Sequence, residues 1–248
     1  MPAPDSAPDR ALTIGIIMDG NGRWAQARGL PITEGHREGG RALRRCVEAA
    51  LDLPVQQLVV YAFSTENWQR DPNEVAGIML LFDELLTREA PELHDRGVRI
   101  RFVGRTDEVA PHLVDRMRWA RQMTERNQRL DLMIAFNYGG RAEIVDAVNR
   151  ALARRAGDGL RGPMDEDELA GCLYDEELAE PDMIIRTGGE QRLSNFLLWQ
   201  SAYSELVFTE RLWPEFDAAD LAAAIEEYAH RERRFGGRSE RVAAGAGS

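Results

Sequence analysis

The sequence contains no lysine, and all 31 of its basic residues are arginine. This absence excludes a phosphate-binding loop of the G-x-x-x-x-G-K-[ST] type, the strand lysine of protein kinases and a Schiff-base nucleophile. Codon bias in the source genome accounts for such usage, but the chemical restriction holds whatever its cause. If the protein handles phosphate groups, it must do so with arginine side chains, backbone N–H groups and a metal ion.

Cysteine and long hydrophobic runs are also scarce. Cys46 and Cys172 are the only cysteines, and their spacing is not that of a metal site, so we expect both to be reduced packing residues. The longest apolar runs, such as residues 76–82, are too short to cross a bilayer. Residues 1–10 lack the apolar core of a signal peptide, so we expect a cytoplasmic protein.

Positive charge is in deficit, because 31 Lys and Arg residues face 42 Asp and Glu residues, a formal net charge of -11. A nucleic-acid-binding protein normally shows the opposite balance, so we expect no nucleic-acid partner. The length of 248 residues and the 44% hydrophobic content are typical of one globular domain with a substantial core. We expect this domain to span residues 12–237, between a flexible N-terminus (1–11) and a flexible C-terminal tail (238–248).

Apolar segments of strand length alternate with amphipathic segments of helix length along the chain. The predicted strands cover residues 12–18, 58–63, 98–103, 130–136 and 183–185, with a last strand region near residue 205. The predicted helices cover residues 33–53, 72–96 and 106–128, followed by one that ends at Arg155, a short one near 165–168 and one that begins at Asp217. This alternation predicts a single-domain α/β fold with a mostly parallel central sheet flanked by helices.

Three polar segments follow predicted strands, at residues 19–24, 64–70 and 186–194. Ligands of such sheets bind outside the carboxyl ends of the strands. Two of the segments combine glycines, which let a backbone approach a ligand closely, with arginines, which offer charge-assisted donors. Any one of them could be an ordinary turn or a solvated loop. Together, the three segments predict a site for a polyanion such as a diphosphate.

Two carboxylates and one histidine are further candidates. Asp19 lies in the first polar segment, and Glu205 lies in the last strand region. Mg²⁺ binds to one or two carboxylates plus substrate phosphate oxygens, so this widely separated pair is a candidate magnesium site. Without that context Glu205 would be an ordinary surface acid. His36, near the start of a helix, either bonds a phosphate or caps the helix.

The long helix predicted over residues 72–96 carries a broad apolar stripe. Its members share helical spacing and are Val75, Ile78, Met79, Phe82, Leu85 and Leu86. Such a stripe is ordinary core packing, but beside a diphosphate site it could equally form the wall of a tunnel for a hydrocarbon chain. The D-D-x-x-D motif of trans-type prenyl synthases is absent from the sequence, so an isoprenoid enzyme would require another architecture.

Four segments closely resemble motifs of the cis-prenyltransferase family, of the undecaprenyl diphosphate synthase type. They are M-D-G-N-G-R-W-A (18–25), G-H-R-E-G (35–39), Y-A-F-S-T-E-N-W (61–68) and R-T-G-G-E-Q-R-L-S-N-F (186–196). The likeness runs from about Ile14 to Gly237. It implies the cis-prenyltransferase fold, with a hydrophobic tunnel, and a homodimer.

The resemblance implies an isoprenyl transferase that requires Mg²⁺. Such an enzyme condenses isopentenyl diphosphate repeatedly onto an allylic diphosphate, such as farnesyl or geranyl diphosphate, and each new double bond is cis. The implied product is a long-chain polyprenyl diphosphate, the precursor of an undecaprenyl-type lipid carrier. Release of that product implies transient peripheral contact with the inner face of the membrane.

The resemblance also implies roles for individual residues. Asp19 would bind Mg²⁺ and help the allylic diphosphate to leave, while Asn67, with Ser64, would match residues linked to removal of the isopentenyl proton. Glu205 resembles the second metal ligand. The expected cradle for the allylic diphosphate consists of Gly20, Asn21, Gly22, Arg23 and His36. The further expected substrate contacts are Trp24, Thr65, Glu66, Trp68, Arg70, Arg186, Arg192, Leu193, Ser194, Arg234 and Gly236.

Some of these contacts match separate parts of the family's site. Trp68 and Arg70, together with Glu74, match a mobile loop that closes over the substrate. Arg234 and Gly236 match a C-terminal motif that reaches into the partner subunit. The residues that match the isopentenyl diphosphate site are Arg186, Arg192 and Ser194.

One position departs from the family pattern. Residues 28–32 read R-G-L-P-I, whereas relatives often carry arginine at the last position, so Ile32 removes a phosphate contact and affects allylic affinity or substrate choice. Ala62 is small and compatible with an open tunnel and a long product. The alternatives are a short-chain or irregular cis-prenyl diphosphate synthase and a non-catalytic partner subunit of a prenyltransferase. Generic nucleotide binding is disfavoured by the missing lysine motif.

Overall fold

Six parallel strands form the sheet at the centre of the computed structural model, which describes residues 10–159 and 162–231. In chain order they are β1 (Leu12–Ile17), β2 (Val55–Ser64), β3 (Val98–Val103), β4 (Leu130–Tyr138), β5 (Met183–Arg186) and β6 (Glu205–Phe208). Their order across the sheet is β3-β4-β2-β1-β5-β6, and every neighbouring pair runs parallel. The predicted α/β class with a parallel central sheet is confirmed.

Helices connect the first five strands in chain order, whereas residues 187–204, which join β5 to β6, contain no helix. The α-helices are α1 (Asn21–Gln26), α2 (Ile32–Ala50), α3 (Pro72–Asp95), α4 (Pro111–Thr124), α5 (Gly140–Asp158), α6 (Glu166–Ala170) and α7 (Ala218–Ala229). Short 3₁₀ helices cover Thr65–Gln69 and Trp213–Glu215. Asp217 caps α7 as predicted, with its carboxylate accepting from Ala219 N at 2.8 Å. Among residues 10–159 and 162–231, none of the helices has both the length and the hydropathy of a membrane span.

Several element boundaries differ from the sequence-based expectations. α4 begins at Pro111 rather than at residue 106, because proline favours the first turn of a helix. α5 continues past Arg155 and ends where Gly159 adopts a φ of 67°. α1 was not predicted, because its segment begins with glycines that are unfavourable in helices. The polar stretch after β2 is a 3₁₀ helix rather than an open loop.

Both faces of the sheet are covered, and successive strand residues therefore enter different hydrophobic clusters. Ile14 and Ile16 of β1 pack in the larger cluster with residues of α2, α3, α4 and α7. Ile17 packs in a second cluster on the other face, with Phe196 and Leu197. Burial on both faces explains why the sequences of β1 and β4 are nearly continuous apolar runs rather than alternating ones.

The two cysteines are buried and free, as expected of packing residues. Cys46 lies on the buried face of α2 and Cys172 packs beside α5. Burial raises the pKa of the Cys46 thiol to about 12, so the thiolate form is disfavoured at neutral pH. This environment supports packing rather than reactivity.

Predictions that fall on residues 1–9, 160–161 and 232–248 lie outside the described residues. They include the flexible N-terminus apart from its last two residues, the C-terminal tail, and the proposed contacts of Arg234 and Gly236.

α1 and α2 pack closely because α2 presents glycine to α1. A Cβ atom on Gly35 would overlap the backbone carbonyl oxygen of Asn21, and one on Gly39 would lie 2.6 Å from the Asn21 side-chain Oδ1. Both glycines are buried. This contact fixes the segment after β1 against the start of α2.

We expect Gly35→Ala to lower the free energy of unfolding by about 1–3 kcal/mol, because the added methyl group must displace backbone in a packed interface. Urea denaturation followed by circular dichroism measures this loss. The matched control is Gly157→Ala on α5, where a Cβ meets no atom within 4 Å and should stabilise the helix by about 0.5–1 kcal/mol. A Gly35→Ala protein as stable as the wild type would contradict the close contact.

Candidate active site

The carboxyl ends of β2, β1 and β5 lie side by side, because these strands are consecutive neighbours in the parallel sheet. Each strand is followed by one of the polar segments at residues 19–24, 64–70 and 186–194. Residues of all three segments line one pocket of about 820 Å³. The expectation that the three segments meet at one edge of the sheet is therefore confirmed.

Most of the predicted site residues within the described part of the chain line this pocket. Those that do so are Asp19, Gly20, Asn21, Gly22, Arg23, His36, Ser64, Glu66, Asn67, Arg70, Arg186 and Ser194. Ile32, at the first position of α2, also lines the pocket and is 39% exposed.

The Asp19 carboxylate lies between two guanidinium groups. Its Oδ1 accepts from Arg23 Nη2 at 3.1 Å, and its Oδ2 accepts from Arg186 Nη2 at 3.0 Å. The backbone of Asp19 is fixed by Thr187, whose Oγ1 accepts from Asp19 N at 2.9 Å and donates to Asp19 O at 2.7 Å. The carboxylate remains 30% exposed and lines the pocket.

Arg186 is a buried cation at the base of the pocket, with only 5% of its side chain exposed. Its Nη1 donates to Arg192 O and to Ser194 Oγ, each at 2.6 Å. Its Nε is buried and has no hydrogen-bond partner among the described residues. A buried donor without a partner costs free energy. The guanidinium as a whole places a positive charge beside the pocket.

Glycine backbone conformations allow the first segment to approach Leu212 at Gly20 and the third segment at Gly188. Gly20 has a φ of 122°, and a Cβ atom on it would lie 2.9 Å from Leu212 Cα. Gly188 has a φ of 83°, and its carbonyl oxygen accepts from Arg23 Nη1 at 2.6 Å. Glycine adopts this left-handed backbone at little cost, which explains why both loops require it.

His36 lies on the pocket wall between Asn21 and Glu74. Its Nδ1 is 3.5 Å from Asn21 Nδ2, and its Nε2 is 3.5 Å from Glu74 Oε1, a contact too poorly aligned to be a hydrogen bond. Burial lowers the pKa of His36, and the nearby Glu74 carboxylate offsets only part of this effect. His36 is therefore neutral at pH 7, with its Nε2 buried beside Glu74.

The segment after β2 fixes Asn67 in the wall of the pocket. Asn67 Oδ1 accepts from Ser64 N at 3.0 Å, which stabilises the 3₁₀ turn. Arg70 donates to Glu74 at 2.8 Å at the start of α3. Both Asn67 and Arg70 line the pocket.

Four predicted substrate contacts lie outside the pocket lining. Trp24 stacks beneath the Arg28 guanidinium, 4.4 Å from the ring centroid. Trp68 packs edge-on against Phe63 and donates from Nε1 to Asn137 Oδ1 at 2.8 Å, so it holds the turn in place. Leu193 packs against the second hydrophobic cluster, which contains Phe196 and Leu197. Thr65, in the 3₁₀ turn, bonds to its neighbour Glu66 and does not line the pocket.

Arg192 also points away from the pocket. Its side chain is 60% exposed and pairs with Glu190 Oε2 at 2.5 Å. Only its backbone carbonyl oxygen takes part in the site, as an acceptor for Arg186. In this structure Arg186 is therefore the arginine that the third segment presents to a ligand.

Glu205 lies away from Asp19 within this chain, so their pairing as metal ligands stays a prediction. Glu205 pairs with Met183 at the start of β5, whereas Arg186, which contacts Asp19, ends that strand. Three residues of parallel strand separate these positions by about 10 Å along the sheet. Glu205 instead pairs with Arg231 at 2.9 Å. The sequence could not indicate this separation, because it does not fix the strand register.

Thr187 and Asn195 are site residues that the sequence reasoning missed. Thr187 lies within the third segment but fixes the backbone of Asp19 rather than a ligand. Asn195 follows Ser194 and lines the pocket. Its place next to a predicted contact, inside the motif at residues 186–196, was the signal available for it.

An apolar cavity of about 140 Å³ adjoins the polar pocket. Residues of α2, α3 and the sheet line it, including four members of the predicted stripe, Ile78, Phe82, Leu85 and Leu86. The residues that line both spaces are Met18, Asn21, His36, Ala62 and Ile78. The polar and apolar spaces therefore share a wall.

We expect His36 to make the fold acid-sensitive. Its folded-state pKa lies below 6.5, so the unfolded chain binds a proton more readily, and the free energy of unfolding falls as the pH drops through 6.5. The slope for one proton is at most about 1.4 kcal/mol per pH unit. Urea titrations between pH 7.5 and 5.5 should show a shallower decline for His36→Gln than for the wild type.

The control for this measurement is His112→Gln, at an exposed position on α4, which should keep the wild-type slope. Equal slopes for His36→Gln and the wild type would contradict the buried, neutral histidine.

Comparison with known proteins gives a consistent result. The family model described as "Putative undecaprenyl diphosphate synthase" matches residues 17–236. An isoprenyl transferase 2 of Bradyrhizobium diazoefficiens is 47% identical over 235 residues, covering 93% of each chain. The ditrans,polycis-undecaprenyl-diphosphate synthase ((2E,6E)-farnesyl-diphosphate specific) of Xanthomonas axonopodis pv. citri is 50% identical, covering 93% of this chain and 90% of that relative.

A solved structure is also similar. The lavandulyl diphosphate synthase of Lavandula x intermedia, in complex with dimethylallyl diphosphate, superposes with a TM-score of 0.86 at 32% identity. The match covers 91% of this chain and 98% of that one. With a family model that spans nearly all of the described residues and relatives near 50% identity, the chain belongs to the undecaprenyl diphosphate synthase family of cis-prenyltransferases.

Proposed function

We propose that the protein is an isoprenyl transferase that adds isopentenyl diphosphate in cis to an allylic diphosphate, such as farnesyl or geranyl diphosphate. One observation carries this proposal: a polar pocket and an apolar cavity share a wall of five residues. An allylic diphosphate is an amphiphile, charged at one end and hydrocarbon at the other, and its two ends match these two spaces. Family membership supports the same activity.

The charged end of the substrate fits the carboxyl edge of the sheet. Arg23 and Arg186 hold fixed positive charge there, and Arg186 Nε is a buried donor with no partner among the described residues. Guanidinium groups bind diphosphate oxygens through charge-assisted hydrogen bonds. The glycine-containing segments after β1 and β5 let the ligand approach the backbone.

The reaction breaks the C–O bond between the allylic carbon and its diphosphate. A new C–C bond then forms to isopentenyl diphosphate, which loses a proton. Negative charge that develops on the departing diphosphate is stabilised by Arg23 and Arg186, which are already in position. Positive charge on the allylic carbon lies toward Met18 and Ile78, where apolar side chains exclude water. In this proposal Asn67, fixed by Ser64 N, positions the isopentenyl unit for proton loss.

Asp19 fits a magnesium ion, which the proposal includes. Its carboxylate is a hard oxygen ligand that faces the pocket beside both guanidinium groups. Within residues 10–159 and 162–231, no three His, Cys, Asp or Glu side chains cluster as a metal site, so the ion would depend on substrate oxygens for its other ligands. When bound, Mg²⁺ would neutralise charge on the departing diphosphate.

The proposed product is a long-chain polyprenyl diphosphate of the undecaprenyl type. The small side chain of Ala62 lies where the polar pocket meets the apolar cavity, so it leaves this junction open. Several relatives near 50% identity are named as undecaprenyl-diphosphate synthases. A relative from Thermobifida fusca, 48% identical, is named trans,polycis-polyprenyl diphosphate synthase. A short-chain or irregular product is the alternative that the assay below separates.

The proposal extends to assembly and location. Large apolar side chains at Val145, Leu152 and Tyr203 are more than half exposed, which supports a second copy of this chain as partner in a homodimer. We propose a cytoplasmic enzyme whose hydrocarbon product reaches the membrane by transient peripheral contact.

The activity test uses purified protein with labelled isopentenyl diphosphate, farnesyl or geranyl diphosphate, and Mg²⁺. Products are dephosphorylated and sized by chromatography, with a chelator as control. We expect chain extension by the wild type, and at least about a hundredfold loss of turnover in Asp19→Asn, because the neutral amide is a poorer ligand for Mg²⁺ than the carboxylate.

The matched control is Asp115→Asn, a largely exposed carboxylate on α4, which should retain wild-type turnover. The absence of extension with every primer would contradict the proposed activity. Near-normal turnover in Asp19→Asn would remove Asp19 from the mechanism.

Ala62→Leu tests the shared wall of the two spaces. The larger side chain narrows the junction between the polar pocket and the apolar cavity, so we expect products shorter by several isoprene units while the first condensation persists. Ala222→Leu, at an exposed position on α7, should leave the product distribution unchanged. An unchanged distribution in Ala62→Leu would mean that the hydrocarbon tail does not pass this wall.

A further inference from the structure

Asn195 is the point at which three loops of the site meet. It follows Ser194 in the segment after β5, and both residues adopt left-handed backbone, with φ values of 65° and 48°. Asparagine tolerates this conformation better than most residues. Asn195 lines the polar pocket, but none of the predicted roles includes it.

The first of its contacts is to the N-terminus of α5, the helix that follows β4. Asn195 O accepts from Gly140 N at 2.7 Å, and Asn195 Oδ1 accepts from Arg141 N at 2.9 Å. The N-cap residue of α5 is Gly139, which has no side chain to supply a cap. Asn195 therefore caps this helix from a distant part of the chain.

The second contact reaches the 3₁₀ turn after β2. Asn195 Nδ2 donates to Glu66 Oε1 at 2.8 Å. Partial burial opposes ionisation of Glu66, but the hydrogen bond from Asn195 and those from its own turn together lower the pKa of this carboxyl group. Glu66 is therefore ionised at neutral pH, and the Asn195 amide is the donor that joins the two segments.

The packing around Asn195 leaves little freedom. A Cβ atom on Gly139 would lie 2.8 Å from Asn195 Nδ2 and 2.6 Å from Thr65 Oγ1. Glycine at this position is thus what allows the loops after β2, β4 and β5 to approach one another. Next to Asn195, Ser194 Oγ accepts from the buried Arg186.

We propose that Asn195 is a positioning residue that sets the spacing between the loops after β2 and β5. On one side, Asn195 positions its neighbour Ser194, which accepts a hydrogen bond from Arg186. On the other side, it holds Glu66, which lies next to Asn67. This inference rests on the proposed function, because it assigns these two loops to the binding of one diphosphate substrate. Asn195 itself needs no contact with the reacting atoms.

Asn195→Asp separates positioning from folding. Asparagine and aspartate cap helices about equally well, so the bond to Arg141 N persists. The donor to Glu66 is lost, and two carboxylates face each other where a hydrogen bond had been. We expect the KM for isopentenyl diphosphate to rise about tenfold or more, which is the size of effect that loss of a hydrogen bond to a charged group produces.

The double variant N195D/E66Q restores a donor and an acceptor with their roles exchanged, since the glutamine amide can donate to the new carboxylate. We expect N195D to raise KM by no more than about threefold when it is introduced into E66Q, because the interaction energy of the pair is recovered. E66Q alone provides the reference for the loss of the Glu66 charge. Asn149→Asp, an exposed position on α5, controls for the added negative charge.

Two outcomes would overturn the proposal. One is an N195D protein with wild-type KM and kcat. The other is an equal cost of N195D in the wild-type and E66Q backgrounds, which would mean that the pair does not act as a unit. Urea denaturation of all four proteins checks that each is folded.

Failure of the proposed function is distinguishable from failure of this inference. If the wild type makes no product with any primer, the Kd of inorganic diphosphate, measured by calorimetry for the same set of variants, replaces KM as the readout. A restored Kd in the double variant supports the positioning role, and an unrestored one contradicts it.

Discussion

The parallel pairing of β2, β1 and β5 is the constraint on which the rest of the molecule depends. Since these strands are adjacent and point the same way, their three polar exits share one edge of the sheet. The bridge between Asp19 and Arg186 then ties the exit of β1 to the end of β5. Every later feature of the site, from the glycine loops to the apolar cavity behind them, is arranged around this edge.

The absence of lysine gives the site a fixed electrostatic character. A guanidinium remains charged at any physiological pH and keeps its donors in a rigid plane, whereas an ammonium can lose its proton when it is buried. Arg186 can therefore stay cationic at the base of a pocket while Asp19 and the two neighbouring acceptors hold its plane in position. The net charge of the whole chain, which is negative, does not describe this local environment.

Much of the fold could be predicted from the sequence, because periodicity and strand-end glycines are local signals. The contacts that complete the site are not local. Asn195 caps a helix that begins 55 residues earlier, and Thr187 fixes a backbone more than 160 residues away. Strand register cannot be read from composition, and the register places Glu205 beside Met183, at the opposite end of β5 from Arg186. Arg192 and Leu193 lie in a motif whose neighbours face the pocket, but their own side chains turn away from it.

The size of the apolar cavity has a mechanical consequence for a long product. About 140 Å³ is close to the ~150 Å³ of an engineered protein cavity that admits one benzene molecule. A tail of many isoprene units exceeds that space, so a long product requires that the tail leave through the open side of the cavity or that α2 and α3 move apart. If the helices move, the growing tail acts as a wedge and replaces helix–helix contacts with its own. The upper limit on chain length would accordingly be set by the elasticity of two packed helices rather than by a wall at fixed depth.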